Sequence, residues 1–185
     1  VALPPTPARA LVVYAHPYPA RSRANRALLG AVRDVEGVTV HSLYDTYPGF
    51  DIDAEAERER LVAHDVLVWQ HPMYWYSVPG LLKHWFDKVL TRGFAYGAGG
   101  TALVGKRCLW VTTTGGGPDA FQEGGLHDHP FEAFTPALEQ TARFCGMSWE
   151  EPLVLHGAHT ISDAELAATA ARYSERLRAL LQASP

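Results

Sequence analysis

The chain has 185 residues, 47% of them apolar and 19% charged, with a formal net charge of −4. That composition excludes a disordered chain and fits a single domain over residues 1–185, with residues 1–9 as a loose, Pro- and Ala-rich arm. Lysines and arginines are scattered instead of forming a basic face, which argues against nucleic acid as a partner, and no apolar run approaches the roughly 18 residues of a membrane span.

Cys108 and Cys145 are the only cysteines. Two thiols give no disulfide framework, so a reducing cytoplasm is the expected home. The start lacks the long apolar segment of a secretory signal.

In chain order, Ala10 to Ala15 reads as a buried strand and His16 to Arg21 as a loop whose two prolines block regular structure. Ser22 is an N-cap for a helix to about Val35, with Leu28, Leu29 and Val32 at helical spacing. Gly37 stops it, Val38 to Leu43 is a second strand, and Tyr44 to Phe50 a loop. Asp53 to His64 alternates charge at helical spacing. The run from Val66 is a strand buried on both faces, expected to break into a loop at His71-Pro72. That loop, Met73-Tyr-Trp-Tyr-Ser77, is aromatic, and a helix follows from Pro79 to Leu90. Thr91 to Val104 is glycine-rich and irregular; Arg107 to Thr113 is a fourth strand running into Thr114-Gly-Gly-Gly117. After a polar loop from Pro118 to Pro130, Phe131 to Cys145 reads as a helix closed by Gly146, and Trp149 to His156 contains a fifth strand. Ser162-Asp-Ala-Glu165 is a capping box opening a helix to about Gln182.

Strand and helix alternate five times, which calls for parallel strands with crossover helices on both faces. The fold expected is α/β: a flavodoxin-like three-layer sandwich on a five-stranded parallel sheet of order 2-1-3-4-5. Ligands in such sheets bind beyond the carboxyl ends of the strands, at the switch point between strands one and three. The loops after the first, third and fourth strands then meet at one edge.

Ser22-Arg23-Ala24-Asn25 at a helix N-terminus is a ready anion site, and His16 can donate from an imidazole N–H. Plain N-capping by Ser22 is the alternative. Thr113-Thr114-Gly115-Gly116-Gly117 lets a ligand approach the backbone closely, or is an ordinary flexible turn. Trp75 and Tyr76 either wall a flat ligand or cap the core. Together the loops suit one ligand with an anionic tail and a flat ring system, FMN.

Other chemistry fits less well. Gly100 to Lys106 matches most of a P-loop, but Arg107 stands where Ser or Thr should hold magnesium, and the segment precedes a strand. His127-Asp-His129 has no further ligand at a recognisable spacing, so no metal is expected. No Gly-x-Ser-x-Gly elbow occurs.

The segments Ala15-His-Pro17 with Ser22-x-x-Asn25, His71-Pro-Met-Tyr-Trp-Tyr-Ser-Val-Pro79, Leu82-Lys-x-Trp-x-Asp-Lys-Val89 and Thr113-Thr-Gly-Gly116 resemble the flavodoxin-like NAD(P)H:quinone oxidoreductases. Leu43-Tyr44, Trp69-Gln-His-Pro-Met73 and Gly93-x-Ala-Tyr-Gly97 followed by Gly99-Gly-Thr-Ala-Leu103 resemble one subgroup, the KefF-type ancillary subunits of glutathione-gated potassium-efflux antiporters.

The resemblance implies FMN, with its phosphate held by His16 and Ser22 to Asn25. Pro72, Met73, Tyr74, Trp75 and Tyr76 would line its ring, and Thr113 to Gly117 its other edge. It further implies NAD(P)H as electron donor, a quinone or related electrophile as acceptor, ping-pong kinetics, and a homodimer sharing its active sites. An antiporter partner would place the protein at the inner face of the cell membrane. Where some relatives use a Tyr and a His in hydride transfer, this chain has Phe121 and His127. Phe121 has no hydroxyl, leaving His127 as the catalytic candidate, or else a solvated loop histidine. The rival classes are a regulatory subunit with secondary redox activity and a one-electron flavodoxin-type carrier. The aromatic loop and the lack of a strongly acidic surface speak against the carrier.

Overall fold

The computed structural model describes residues 7–183. Of the expected N-terminal arm, residues 1–6 lie outside the described residues. Arg9 is tied down and not loose: its carbonyl accepts from the N–H groups of Asp65 and Val66, and its own N–H donates to the Asp65 carboxylate.

Strands β1 (Ala10–Tyr14), β2 (Val38–Ser42), β3 (Val66–Pro72) and β4 (Arg107–Thr113) form a parallel sheet of order β2-β1-β3-β4. Two short strands, β5 (Ser148–Trp149) and β6 (Leu153–Leu155), both pair with β4 on its far side. The expected order 2-1-3-4-5 therefore holds, but the fifth strand is split, giving a sixth. Pro152 sits in the gap, and a residue without an N–H cannot continue the ladder.

Every residue of β3 is buried, because its alternating side chains feed two separate cores. Val66 and Val68 face α1 (Arg23–Val32) and α6 (Asp163–Gln182). Leu67 and Trp69 face α3 (Ala54–Val62), α4 (Gly80–Val89) and α5 (Pro136–Phe144). Leu28, Leu29 and Val32 lie on one stripe of α1, each contributing roughly 1.5–3 kcal/mol through burial. The Ser162 capping box forms in full, its hydroxyl accepting from Glu165 N–H while the Glu165 carboxylate accepts from Ser162 N–H.

Several element boundaries depart from the sequence expectation, mostly at prolines. β3 continues through His71 and Pro72, which pair with Thr112 and Thr113. The restriction that keeps a pre-proline residue out of the α region holds it extended, so the strand runs on. The expected helix over Phe131–Cys145 is broken by Pro136 into a 3-10 turn (Phe131–Phe134) and α5. Pro19 opens a further 3-10 turn (Pro19–Arg21) inside the expected loop, and Pro79 is the N-cap of α4 instead of its first residue. The expected loop after β2 begins with a helical turn, α2 (Leu43–Thr46).

The charged helix α3 is not wholly solvated, for Glu57 is fully buried. Its carboxylate accepts from Tyr47 Oη at 2.7 Å and Trp85 Nε1 at 2.8 Å, and His41 Nε2 lies 2.8 Å away. Burial alone would raise its pKa. The hydrogen bonds and the His41 charge outweigh that and hold it below the ordinary value. The Trp85 hydrogen bond anchors α3 to α4.

Candidate functional site

Beyond the carboxyl end of β1, the chain turns at His16, which is 7% exposed. The Tyr18 main-chain N–H donates to its Nδ1 at 3.0 Å, so the ring proton sits on Nε2. Burial lowers its pKa, and the neutral imidazole is a donor at the cleft wall. Ser22 Oγ accepts from the Asn25 main-chain N–H at 3.2 Å, the N-cap read from sequence. Arg23 and Ala24, the first residues of α1, line the same cleft, where free N–H groups and the positive end of the helix favour an anion. The Arg23 guanidinium is occupied elsewhere, bound to the Asp163 carboxylate and the Ile161 carbonyl, so it is the backbone of Arg23 that serves the site.

Asn25 is 1% exposed. Its amide nitrogen donates to Ser22 Oγ at 3.2 Å and to Thr113 Oγ1 at 3.0 Å, while its Oδ1 is buried without a partner. A buried acceptor without a partner calls for one, and Asn25 lines the cleft.

The loop after β3 is rooted by His71, whose Nδ1–H donates to the Pro72 carbonyl at 2.9 Å and whose Nε2 accepts from Trp110 at 2.8 Å. Complete burial pushes its pKa down to about 4, so it is neutral and structural. Tyr74 and Ser77 then pair through reciprocal backbone hydrogen bonds of 3.1 and 3.0 Å. The two residues between them, Trp75 (φ 49°) and Tyr76 (φ 61°), are both left-handed, a turn that Asn-Gly ordinarily supplies. Each costs about 1–2 kcal/mol there. The turn sends Trp75 out to 92% exposure and folds Tyr76 back onto Phe134, stacked at 5.1 Å and 21°.

The glycine-rich turn is tied by hydrogen bonds to the segment that follows β6. Thr114 N–H donates to Leu155 O at 3.0 Å, and Ala158 N–H to Thr114 O at 2.9 Å. Gly116 O accepts from Gly157 N–H and from Thr114 Oγ1, both at 2.8 Å, and His156 Nδ1 lies 2.9 Å from that hydroxyl. Thr114 N–H is thus spent, leaving the glycine N–H groups as the turn's donors. A Cβ on Gly116 would stand 2.9 Å from Ala120 Cβ and 3.0 Å from His127 Nε2, so glycine is what admits the imidazole.

These loops enclose two clefts. The larger, about 510 Å³, lies between His16, the start of α1 and Thr113 to Gly115, with Pro72, Met73 and Tyr74 along it. The smaller, about 230 Å³, is lined by Trp75, Tyr76, Gly116, Phe121 and His127. Met73, Thr114 and Gly115 line both, making one continuous trough. Gly117 does not join it: it lines a separate hollow of about 470 Å³ behind the turn, with His156 and Arg172. The sequence reading missed Tyr18, Arg21, Ala158 and His159, which wall the larger cleft. The last two follow β6, and any loop after a parallel strand of this sheet must arrive at the same edge.

The trough offers a helix start, a neutral imidazole and the partnerless acceptor of Asn25 in its larger part, and a slot between aromatic and glycine walls in its smaller one. It suits a ligand with an anionic tail, a hydroxylated linker and a planar head. Among the described residues no His, Cys, Asp or Glu side chains converge as a metal-holding group. No helix among them is long and apolar enough to cross a membrane.

The profile of the flavodoxin-like fold family matches residues 8–177. Among solved structures, the thermophilic tryptophan halogenase Th-Hal from Streptomycin violaceusniger is 38% identical, over 90% of this chain and 97% of that one, with a TM-score of 0.87. General stress protein 14 from Treponema denticola, in complex with FMN, is 35% identical over 93% and 99% of the two chains, TM-score 0.86. An NADPH-quinone reductase from P. pentosaceus is 30% identical over 91% and 96%, TM-score 0.82.

Proposed function

The chain belongs to the flavodoxin-like fold family, and from that premise we propose that it binds FMN and is an NAD(P)H-dependent oxidoreductase that reduces a quinone or related electrophile. The similarity to an FMN complex and to an NADPH-quinone reductase supports this reading. The observation that carries it is the buried, partnerless Asn25 Oδ1 in a residue that lines a trough with an anion-binding end and a flat end. An FMN phosphate matches the start of α1 and His16 Nε2–H, a ribityl hydroxyl matches Asn25 Oδ1, and the flavin ring matches the slot at Met73 to Tyr76.

FMN, when bound, supplies the two-electron chemistry; the chain positions it and sets its surroundings. Gly115 and Gly116 present backbone N–H groups to the ring edge without side chains in the way. One wall is closed by the turn after β3, so NAD(P)H and acceptor share the open face in alternation and kinetics are ping-pong. Intersecting initial-rate lines at varied quinone would contradict that part. The decisive measurement is the visible spectrum of the protein with added FMN, followed by anaerobic NADPH. Expected are a flavin spectrum and its bleaching; a protein that stays colourless overturns the proposal.

The narrower reading is a KefF-type ancillary subunit, supported by the match at Trp69 to Met73 and Gly93 to Leu103. Potassium efflux through a cognate antiporter should rise when the protein is supplied, and unchanged efflux rejects this role. A homodimer belongs to the same reading, with the second chain covering Trp75. A monomer by sedimentation would reject it.

A further inference from the structure

We infer that Tyr76 and His127 are the proton-delivering pair of this site. This rests on the FMN-dependent reductase reading and adds to it the source of the proton. Tyr76 Oη lies 3.3 Å from His127 Nδ1, and the two rings meet edge to face at 5.5 Å and 82°. The residues come from different loops, 51 positions apart in the chain.

Elimination supports the assignment. Among the described residues, Tyr76 and His127 are the only titratable side chains lining the smaller cleft. The Thr114 hydroxyl there is committed to the Gly116 carbonyl. Both members of the pair are held from behind. Tyr76 is fixed by its left-handed backbone and its stack on Phe134. His127 is fixed by Phe121, 4.4 Å away, by its main-chain N–H on Ala120 O at 2.9 Å, and by the space above Gly116. Tyr76 is 47% exposed, so protons return from bulk water.

Reduction of a quinone to a hydroquinone takes one hydride and one proton. The hydride comes from the NAD(P)H–FMN couple. For the proton, the Tyr76 O–H bond breaks as the acceptor's O–H bond forms. His127 Nδ1–H then passes to the phenolate as its Nε2 takes a proton from solvent, and tautomer exchange returns the neutral imidazole to its starting form. Before transfer Nδ1–H donates to Tyr76 Oη, which frees the phenol hydrogen to point into the cleft.

The test compares 1,4-benzoquinone, which needs a proton, with ferricyanide, which takes electrons alone, in FMN-loaded Tyr76→Phe. The ratio of quinone to ferricyanide rates should fall about a hundredfold, within the range of general acid catalysis. Because the ratio cancels any change in FMN seating, an unchanged ratio overturns the pair. A second readout needs no flavin: in the FMN-free protein, the ¹⁵N resonance of His127 Nδ1 should shift on Tyr76→Phe, and an unmoved resonance also overturns the pair. Failure of the unsubstituted protein to bind FMN would instead sink the underlying reading, so the two failures are distinguishable.

Discussion

Asn25 and Thr113, 88 positions apart, are joined by a 3.0 Å hydrogen bond from the amide nitrogen to the threonine hydroxyl, which pins the start of α1 to the end of β4. Two walls of the larger cleft are thereby joined, while the other atom of the same amide, Oδ1, is buried without a partner.

Asn25→Ala removes that bond and the one to Ser22 Oγ. At about 1 kcal/mol each, with a buried hydroxyl left short of its donor, the protein should lose about 1–3 kcal/mol. FMN affinity should fall with it. Urea unfolding and a flavin fluorescence titration check both; unchanged affinity would remove Asn25 from the proposed linker contact.

Gly116→Ala places a Cβ against Ala120 and the His127 ring. Overpacking of this kind costs about 1–3 kcal/mol, and the imidazole should be the part that yields. A lowered melting temperature, together with a displaced His127 in a crystal structure of the variant, is the expected result.

Trp75→Gly should stabilise the FMN-free protein. Relief of the left-handed backbone is worth about 1–2 kcal/mol, against about 0.5–1 kcal/mol for the added freedom of glycine in the unfolded chain. Little burial is lost from a side chain already 92% exposed. The net gain is about 0.5–1 kcal/mol by denaturant unfolding. The same variant, like Trp75→Ala, should retain FMN less well through dialysis, which separates a role at the ligand from one in the fold.

Stability should also fall with acid. His71 titrates at about 4 in the folded protein against its ordinary 6.5, so between these values the unfolded chain binds a proton that the folded one refuses. Its contribution is whole above about pH 6.5, diminishes as pH drops toward 4, and reaches at most about 3 kcal/mol. Burial lowers His16, His64 and His156 as well, which adds to the same trend. Urea midpoints between about pH 7.5 and 4.5 measure it, and a flat profile would contradict the burial argument.

Much of the scaffold was legible because its determinants are local. Ser162 and Glu165 are three residues apart and cap each other; the apolar run from Val66 can only be a strand covered on both sides. The loops at the sheet edge followed from topology once the order of strands was in hand. What escaped was set by distant partners. Nothing near Trp75-Tyr76 announces two left-handed residues, because the conformation is held by Phe134 and His127 from another part of the chain. Glu57 read as one more charge in an alternating run, and partners distant in sequence, Tyr47, Trp85 and His41, are what make its burial tolerable. Pro136 and Pro152 were visible breaks that the periodicity around them masked.

The tie from Arg23 to Asp163 and Ile161 couples the first turn of α1 to that of α6. Occupancy of the anion-binding end should therefore be felt through the whole of α6, which packs along α1. Amide protons deep in that helix would exchange more slowly when phosphate sits many residues away in sequence, making α6 a sensor of the cofactor's tail.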